Sequence, residues 1–510
     1  MKRVSVIVAA CLVVAMLAGC SGSKARDPDT LIIAAIGGPA SLDPALTNDS
    51  ASSEIMKQVY DTLFVLDFQT NAPLPSIAER FQFENDNMGR PIYLRLFLKN
   101  GVKFHNGEEL TASDVKFTLD RASESPHIDH IVNQVQGTQV IGPYEVLITL
   151  KEPFAPILNN LAHTAMSIVN EKAVREGGDS YAQNPIGSGP MKLVRWVVGD
   201  RIELTRWDGY WGPAPRIKNI TVRYIADMMT QLLSLETGEV DMVLTLQPQN
   251  IRRVEENPDL QLIRQPSFSM NYIGFNMQRK PFDDIRVRQA IAHAVDMDAL
   301  VRTVWPNVGR PGRGPIGSLV WASAADILPK VEYNPELSRQ LLAEAGLPNG
   351  FSTFIVLNQN SERIASAEIL QNMLAQVGID MEIRIMEWAA YLEFTEKGEH
   401  DMFILGWVTI TADPDYGLEI FHSRAQGAGG NRFFMVNPEV DRLLDAGRVE
   451  TDPSKRYDLY IQAQQLIHAD VPWLPTLEGE NIVVTRANVR GFTPNPAGHH
   501  PFWTVWFENN

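Results

Sequence analysis

The chain has 510 residues, 45% of them hydrophobic, with a formal net charge of −16 and two cysteines. That length exceeds what one hydrophobic core usually holds, so two or three lobes are expected. The acidic balance argues against nucleic acid and against broad adhesion to anionic lipid, and no apolar run after residue 20 approaches the ~20 residues of a spanning helix.

Met1-Lys2-Arg3 precedes an apolar run from Val4 to Leu17, about the length of a signal-peptide core. The run closes on Leu17-Ala18-Gly19-Cys20, which resembles a bacterial lipobox. The resemblance implies cleavage before Cys20 and lipid on its sulfur; an ordinary cleaved signal is the plainer alternative. Stable anchoring takes more than one acyl chain, at roughly 0.8 kcal/mol per buried methylene. Cys11 lies in the segment to be discarded, so the mature chain would hold one thiol, already modified, and no disulfide, thiolate metal site or cysteine nucleophile. Losing Lys2 and Arg3 takes the formal charge to −16 − 2 = −18. Ser21 to Asp29 is polar and suits a flexible tether.

Leu31 to Ile36 reads as a strand that enters a loop at Gly37-Gly38-Pro39. The loop from Gly37 to Asp43, with Gly38 and Ser41, is a candidate ligand wall because glycine permits close backbone approach; a tight structural turn explains it equally well. Phe97 to Phe104 alternates around Lys99-Asn100-Gly101 and predicts a hairpin. Thr111-Ala112-Ser113-Asp114 has the form of a capping box, opening a helix with Val115 and Leu119 on one face. Val287, Ala290, Ile291 and Ala294 fall at helical spacing, and a further helix begins at Asn334-Pro335 and stops at Gly346.

The region 351–406 has the clearest pattern. Phe351 to Leu357 is a strand, followed by a helix with Ile364, Leu370, Leu374 and Val377 on its apolar stripe. Ile379, Met381, Ile383 and Ile385 alternate with Asp380, Glu382 and Arg384, a half-buried strand. Trp388 to Lys397 reads as a helix and Met402 to Gly406 as a strand. Strand–helix–strand–helix–strand predicts a parallel sheet, whose ligands sit beyond the carboxyl ends of its strands. Trp407, Asp413, Asp415 and Tyr416 follow the last strand and are therefore the first candidates for a cleft wall. The alternative is that the aspartates turn the backbone beside Pro414 and that Trp407 packs beneath the loop.

The chain contains no G-x-S-x-G, no H-E-x-x-H and no P-loop, and Gly187-Ser188-Gly189 is too short for a nucleophile elbow. No enzyme chemistry and no cofactor is expected. His499 and His500 are adjacent on an extended segment and point apart, which is awkward for a shared metal. His163, His293 and His468 stand in structural contexts.

Five segments carry a family resemblance: LKNGVKFHNGEELTASDVKFTLDRA (98–122), PIGSGPMKLVRW (185–196), DGYWGPAP (208–215), PFDDIRVRQAIAHAVD (281–296) and DPSKRYDLYIQAQQLI (452–467). Together they make the chain similar to the extracytoplasmic solute-binding proteins of peptide-type ABC importers (family 5). The resemblance implies an α/β, two-lobed periplasmic-binding-protein-like fold of type II, with an extra sub-domain near 51–186. Lobe I would comprise 30–266 and 479–510, and lobe II 267–478. It also implies an extracytoplasmic monomer, in the periplasm or at the cell surface. That monomer would clamp a peptide or peptide-like solute between its lobes, without reaction, and present it to permease subunits served by cytoplasmic ATPases.

Two family anchors are missing. Dipeptide and oligopeptide binders resembling this chain carry an amine-pairing aspartate where Ile410 stands. The carboxylate-binding arginine of dipeptide binders falls near Leu357-Asn358; Arg363 is the nearest cation. The pattern GWVTITADPDYGL is more similar to the glutathione-binding and related oligopeptide branch, with nickel chelates, haem and oligosaccharide as alternative solutes on the same scaffold.

Overall fold

The computed structural model describes residues 28–47, 49–67, 70–427 and 430–508. The signal segment, Cys20 and most of the expected tether lie outside them. Among the described residues, no helix is long and apolar enough to cross a membrane.

One mixed sheet of eleven strands runs through the molecule. Its main strands are β1 (Thr30–Ala35), β2 (Met191–Val197), β3 (Arg201–Arg206), β4 (Asn219–Tyr224), β5 (Met242–Val243), β6 (Leu260–Phe275), β7 (Phe351–Asn358), β8 (Ile379–Met386), β9 (Met402–Val408) and β10 (Trp473–Arg486). Their spatial order is β8-β7-β9-β6-β10-β5-β1-β4-β3-β2, and the short strand Arg310–Pro311 pairs with β10.

The fold is two-lobed. In one half, β7 pairs parallel with β8 and with β9, the arrangement expected from the strand–helix alternation. Alternate residues of these strands and of β6 feed two cores. Ile273, Ile355, Ile379 and Ile404 enter one, and Tyr272, Val356, Phe403 and Leu405 the other. In the other half, β1 pairs parallel with β4 and β5, and Ile33 and Ala34 likewise enter separate cores. The long strands β6 and β10 pair antiparallel and belong to both halves. Their register shifts between Pro266 and Met270 and again between Asn271 and Tyr272, and such irregularities bend and twist a ladder locally.

A four-stranded antiparallel sheet (Ala78–Asn85, Pro91–Leu98, Glu145–Leu150, Val135–Gly142, in spatial order) forms a separate layer. The helix Ala112–Glu124 packs on it, opened by the expected capping box: the N–H of Thr111 donates to Asp114 Oδ2 at 2.9 Å. The hairpin expected over Phe97–Phe104 does not form. The backbone turns at Gly101 (φ 76°), but the N–H of Leu98 goes to Tyr144 O and that of Lys99 to Ile77 O, partners distant in sequence.

Helices α1 (Ser50–Val59), α2 (Ser361–Ala375), α3 (Trp388–Glu396), α4 (Pro414–Leu418), α5 (Pro438–Val449) and α6 (Pro453–Asp470) position the site. The two halves meet directly. Asn159 Nδ2 donates to Thr411 O at 2.9 Å, Ala155 N to Arg448 O at 3.1 Å, and Asn71 Nδ2 to Leu319 O at 2.8 Å.

Candidate functional site

Strand β9 runs two residues beyond the expected Gly406, because Trp407 and Val408 pair with Met270 and Ser269 of β6. Trp407 is thus a strand residue held in the ladder. The chain then turns through Thr409–Ala412 with Ala412 at φ 55°, a conformation rare outside glycine. Asp413 ends the turn as the N-cap of α4, accepting from the N–H of Asp415 at 2.9 Å, and Pro414 occupies the first helical turn. This short helix folds Tyr416 back onto Trp407: the rings stack with centroids 5.5 Å apart and 17° between planes. The indole Nε1 of Trp407 is buried without a hydrogen-bond partner.

These two rings form part of the wall of a cavity of about 580 Å³. Its lining comes from both halves of the molecule: His130, Phe154 and Asn160 from one, and Trp407, Asp415, Tyr416, Glu419 and Arg448 from the other. The volume lies within the range of small-molecule sites, and the mix of aromatic faces with a few convergent charges is typical of them.

The charges form a chain. Arg448 Nε donates to Asp415 Oδ1 at 2.9 Å and its Nη2 to Glu419 Oε2 at 2.6 Å. Arg424 reaches both oxygens of Glu419 at 2.9 Å and Asp445 at 2.7 Å. Arg432, also on the lining, donates to Glu396 at 2.7 Å. Burial raises the Asp415 carboxyl to about 6; the neighbouring Glu419 and Asp413 add to this and Arg448 opposes it. Burial also works against the charge on Arg448, but Asp415 and Glu419 outweigh it and hold the guanidinium firmly protonated. The Tyr416 hydroxyl is pushed up to about 12 by burial, so it stays a neutral donor.

The sequence-predicted residues divide. Trp407, Asp415 and Tyr416 line the cavity. Asp413 is buried behind it, gripped by Arg456. Gly38 and Ser41 are not on this lining. A Cβ at Gly38 would come within 2.8 Å of the Tyr224 ring, so close packing accounts for the glycine. Ser41 Oγ accepts from the N–H of Asp43 at 3.0 Å, a local turn contact. Arg363 is also away from this cavity; it donates to Asn358 at 2.6 Å and lies 5.8 Å from the Trp388 ring centre. The adjacent histidines separate as expected, His499 toward Thr164 and His500 accepting from the N–H of Asn495.

Sequence reasoning missed Arg448, Glu419, Arg424 and Arg432. Arg448 carried a signal: it continues the buried stripe of α5, after Val440, Leu443, Leu444 and Gly447, and an arginine on an apolar stripe needs a partner. The residues from 126 to 160 gave none, because only the docking of the halves brings them here.

The fold is shared by known proteins. Residues 75–429 match the model of the bacterial extracellular solute-binding proteins, family 5 Middle. The chain is 31% identical over 500 residues to the glutathione-binding protein GsiB of Escherichia coli (strain K12), covering 95% of each. Among solved structures it is similar to the periplasmic binding protein DppA of Helicobacter pylori in complex with the peptide STSA, with a TM-score of 0.84 and 28% identity, covering 94% of this chain and 98% of that one. It is also similar to the oligopeptide-binding protein AppA of Bacillus subtilis in complex with a nonapeptide, with a TM-score of 0.81 and 27% identity, covering 94% and 99%.

Proposed function

Because the chain belongs to the bacterial extracellular solute-binding proteins of family 5, we propose that it captures a peptide or peptide-like solute between its lobes and delivers it to the permease of an ABC importer. Glutathione-type compounds are one candidate class. The observation that carries this reading is the cavity shared by the two halves, with an aromatic stack and a row of charges on its wall. A ligand touching both walls stabilises the closed form by its differential affinity alone. The ligands named for these relatives, glutathione and peptides, support the same class.

The protein acts by binding without chemistry on its solute. It is a monomer anchored through a lipidated Cys20, with lobe boundaries at 266/267 and 478/479. Trp407, Asp415 and Tyr416 contact the solute, with Arg448 positioning Asp415. Two measurements test the reading: mass spectrometry of small molecules co-purified with the protein, and calorimetry against a peptide panel that includes glutathione. A bound peptide-like compound supports it. A chelate, haem or sugar in its place, with no response from the panel, overturns the solute class; turnover of any panel member overturns the binding-only reading.

A further inference from the structure

A second cavity, of about 400 Å³, lies in the half that holds β7, β8 and β9 and shares no lining residue with the one between the halves. It is large enough for a small molecule. One wall is apolar. Ala292 and Val295 come from the end of the helix Ile285–Ala294, Ile467 from α6, Val471 from the link that follows α6, and Trp473 and Leu474 from β10. These residues belong to both cores of that half, so the cavity lies where the two adjoin. Val471 caps α6 with φ 48° and ψ 55°. That left-handed conformation is an outlier for a β-branched side chain, and such strain persists where the surroundings impose it, ligand sites among them.

The rest of the lining is charged, and most of its charges are matched. Lys330 Nζ donates to Asp298 Oδ2 at 2.5 Å. Arg310 Nε donates to the buried Glu478 Oε2 at 2.9 Å, and its Nη2 lies 3.4 Å from Asp326 Oδ1. Arg313 is the exception. It is exposed, and it makes no hydrogen bond or ion pair among the described residues. Its charge opposes that of Lys330 on the same lining. The backbone beneath it is fixed: Pro311 pairs with Leu477 of β10, and the N–H of Gly312 donates to Thr476 O at 3.0 Å. Burial keeps the nearby His468 ring neutral, with the Pro329 carbonyl opposing, so the ring adds polarity without charge.

We propose that this cavity is a second binding site, for a small organic acid with an apolar body. Its carboxylate pairs with Arg313, whose planar fork fits that group, and its body lies against Trp473 and Leu474. A singly charged head suits the site better than a phosphate, because Asp298 and Asp326 stand on the same lining. The proposal holds whether or not a peptide fills the cavity between the halves.

The probes are 4-phenylbutyrate and its uncharged amide, 4-phenylbutanamide, titrated into the protein by ligand-observed NMR. The acid should bind about three- to tenfold tighter, the worth of a charged hydrogen bond at a partly exposed site. Arg313→Gln should erase that preference. It should leave the amide's affinity, the melting temperature and binding of the co-purified solute as in wild type, since Arg313 has no partner to lose. Val331→Trp, at an exposed position on the lining, should narrow the cavity and weaken acid and amide alike. Equal binding of acid and amide by the wild type, a preference that survives Arg313→Gln, or binding of neither probe overturns the proposal. So does a probe lost with Trp407→Phe but kept with Val331→Trp, which would lie between the halves instead.

Discussion

Arg456 grips Asp413 through two hydrogen bonds, at 2.8 and 2.7 Å, where both side chains are buried. The pair ties α6 to the turn between Trp407 and Tyr416, so it acts on the site from behind. Arg456→Met leaves a buried carboxylate alone and should cost about 3–5 kcal/mol. Asp413→Asn combined with Arg456→Met keeps the N-cap and should recover most of that loss. Urea unfolding of the three proteins checks it; a double variant as unstable as Arg456→Met would show that the charge pair is not what matters.

Trp407 presents an unpartnered buried N–H in the wall of the cavity. Trp407→Phe should preserve the stack on Tyr416 and leave unfolding within about 1 kcal/mol of wild type, because it removes an unsatisfied donor. Affinity for the co-purified solute should nevertheless fall about three- to tenfold, the worth of one neutral hydrogen bond. Unchanged affinity would show that the indole N–H faces no ligand atom.

The folded Asp415 carboxyl titrates near 6, above its ordinary 3.8. Between those values the folded chain holds a proton that the unfolded chain has released, so stability falls as pH rises through the window. The penalty is absent below the unfolded value and complete above the folded one, at about 1.4 kcal/mol per pH unit. Asp415→Asn, whose amide does not titrate, escapes it. Relative to wild type, its stability should therefore improve by about 2–3 kcal/mol from pH 4 to pH 7. A flat difference across that range would mean that Arg448 already cancels the burial.

Asn159 reaches across the lobes to Thr411 O. Asn159→Ala removes about 0.5–1.5 kcal/mol from the closed form without touching the cavity wall. Small-angle scattering of the ligand-free protein should then show a larger radius of gyration, and affinity should drop by up to about tenfold. An unaltered scattering profile would mean that the bond does not bias closure.

Cys20→Ser should move the protein from the membrane fraction to the soluble extracytoplasmic fraction of its host while leaving solute binding intact, because the anchor and the lobes are separate in the chain. Fractionation with immunoblotting decides it. A membrane-bound Cys20→Ser protein would point to another anchor.

What was legible in the sequence was local. The capping box at Thr111 and Asp114 and the alternation around Ile379, Met381 and Ile383 declare their structures because each depends on near neighbours in the chain. The end of β9 did not, since Val408 is strand only through Ser269. The same limit hid the fate of Leu98, whose backbone partner is Tyr144. Arg456 sits in the polar-looking stretch Asp452-Pro453-Ser454-Lys455-Arg456, and its charge partner in the interior is an aspartate 43 residues away. The cavity's aromatic side was therefore readable, whereas of the arginines that fix its charge only Arg448 left a trace.

The short strand β5 lies between β1, near the start of the chain, and β10, near its end. A chain that emerges from a secretion channel amino end first therefore cannot finish its first lobe until almost the last strand has cleared. Until then that lobe's sheet stays open at one side, which keeps the polypeptide threadable during export and postpones its stable form to the far side of the membrane.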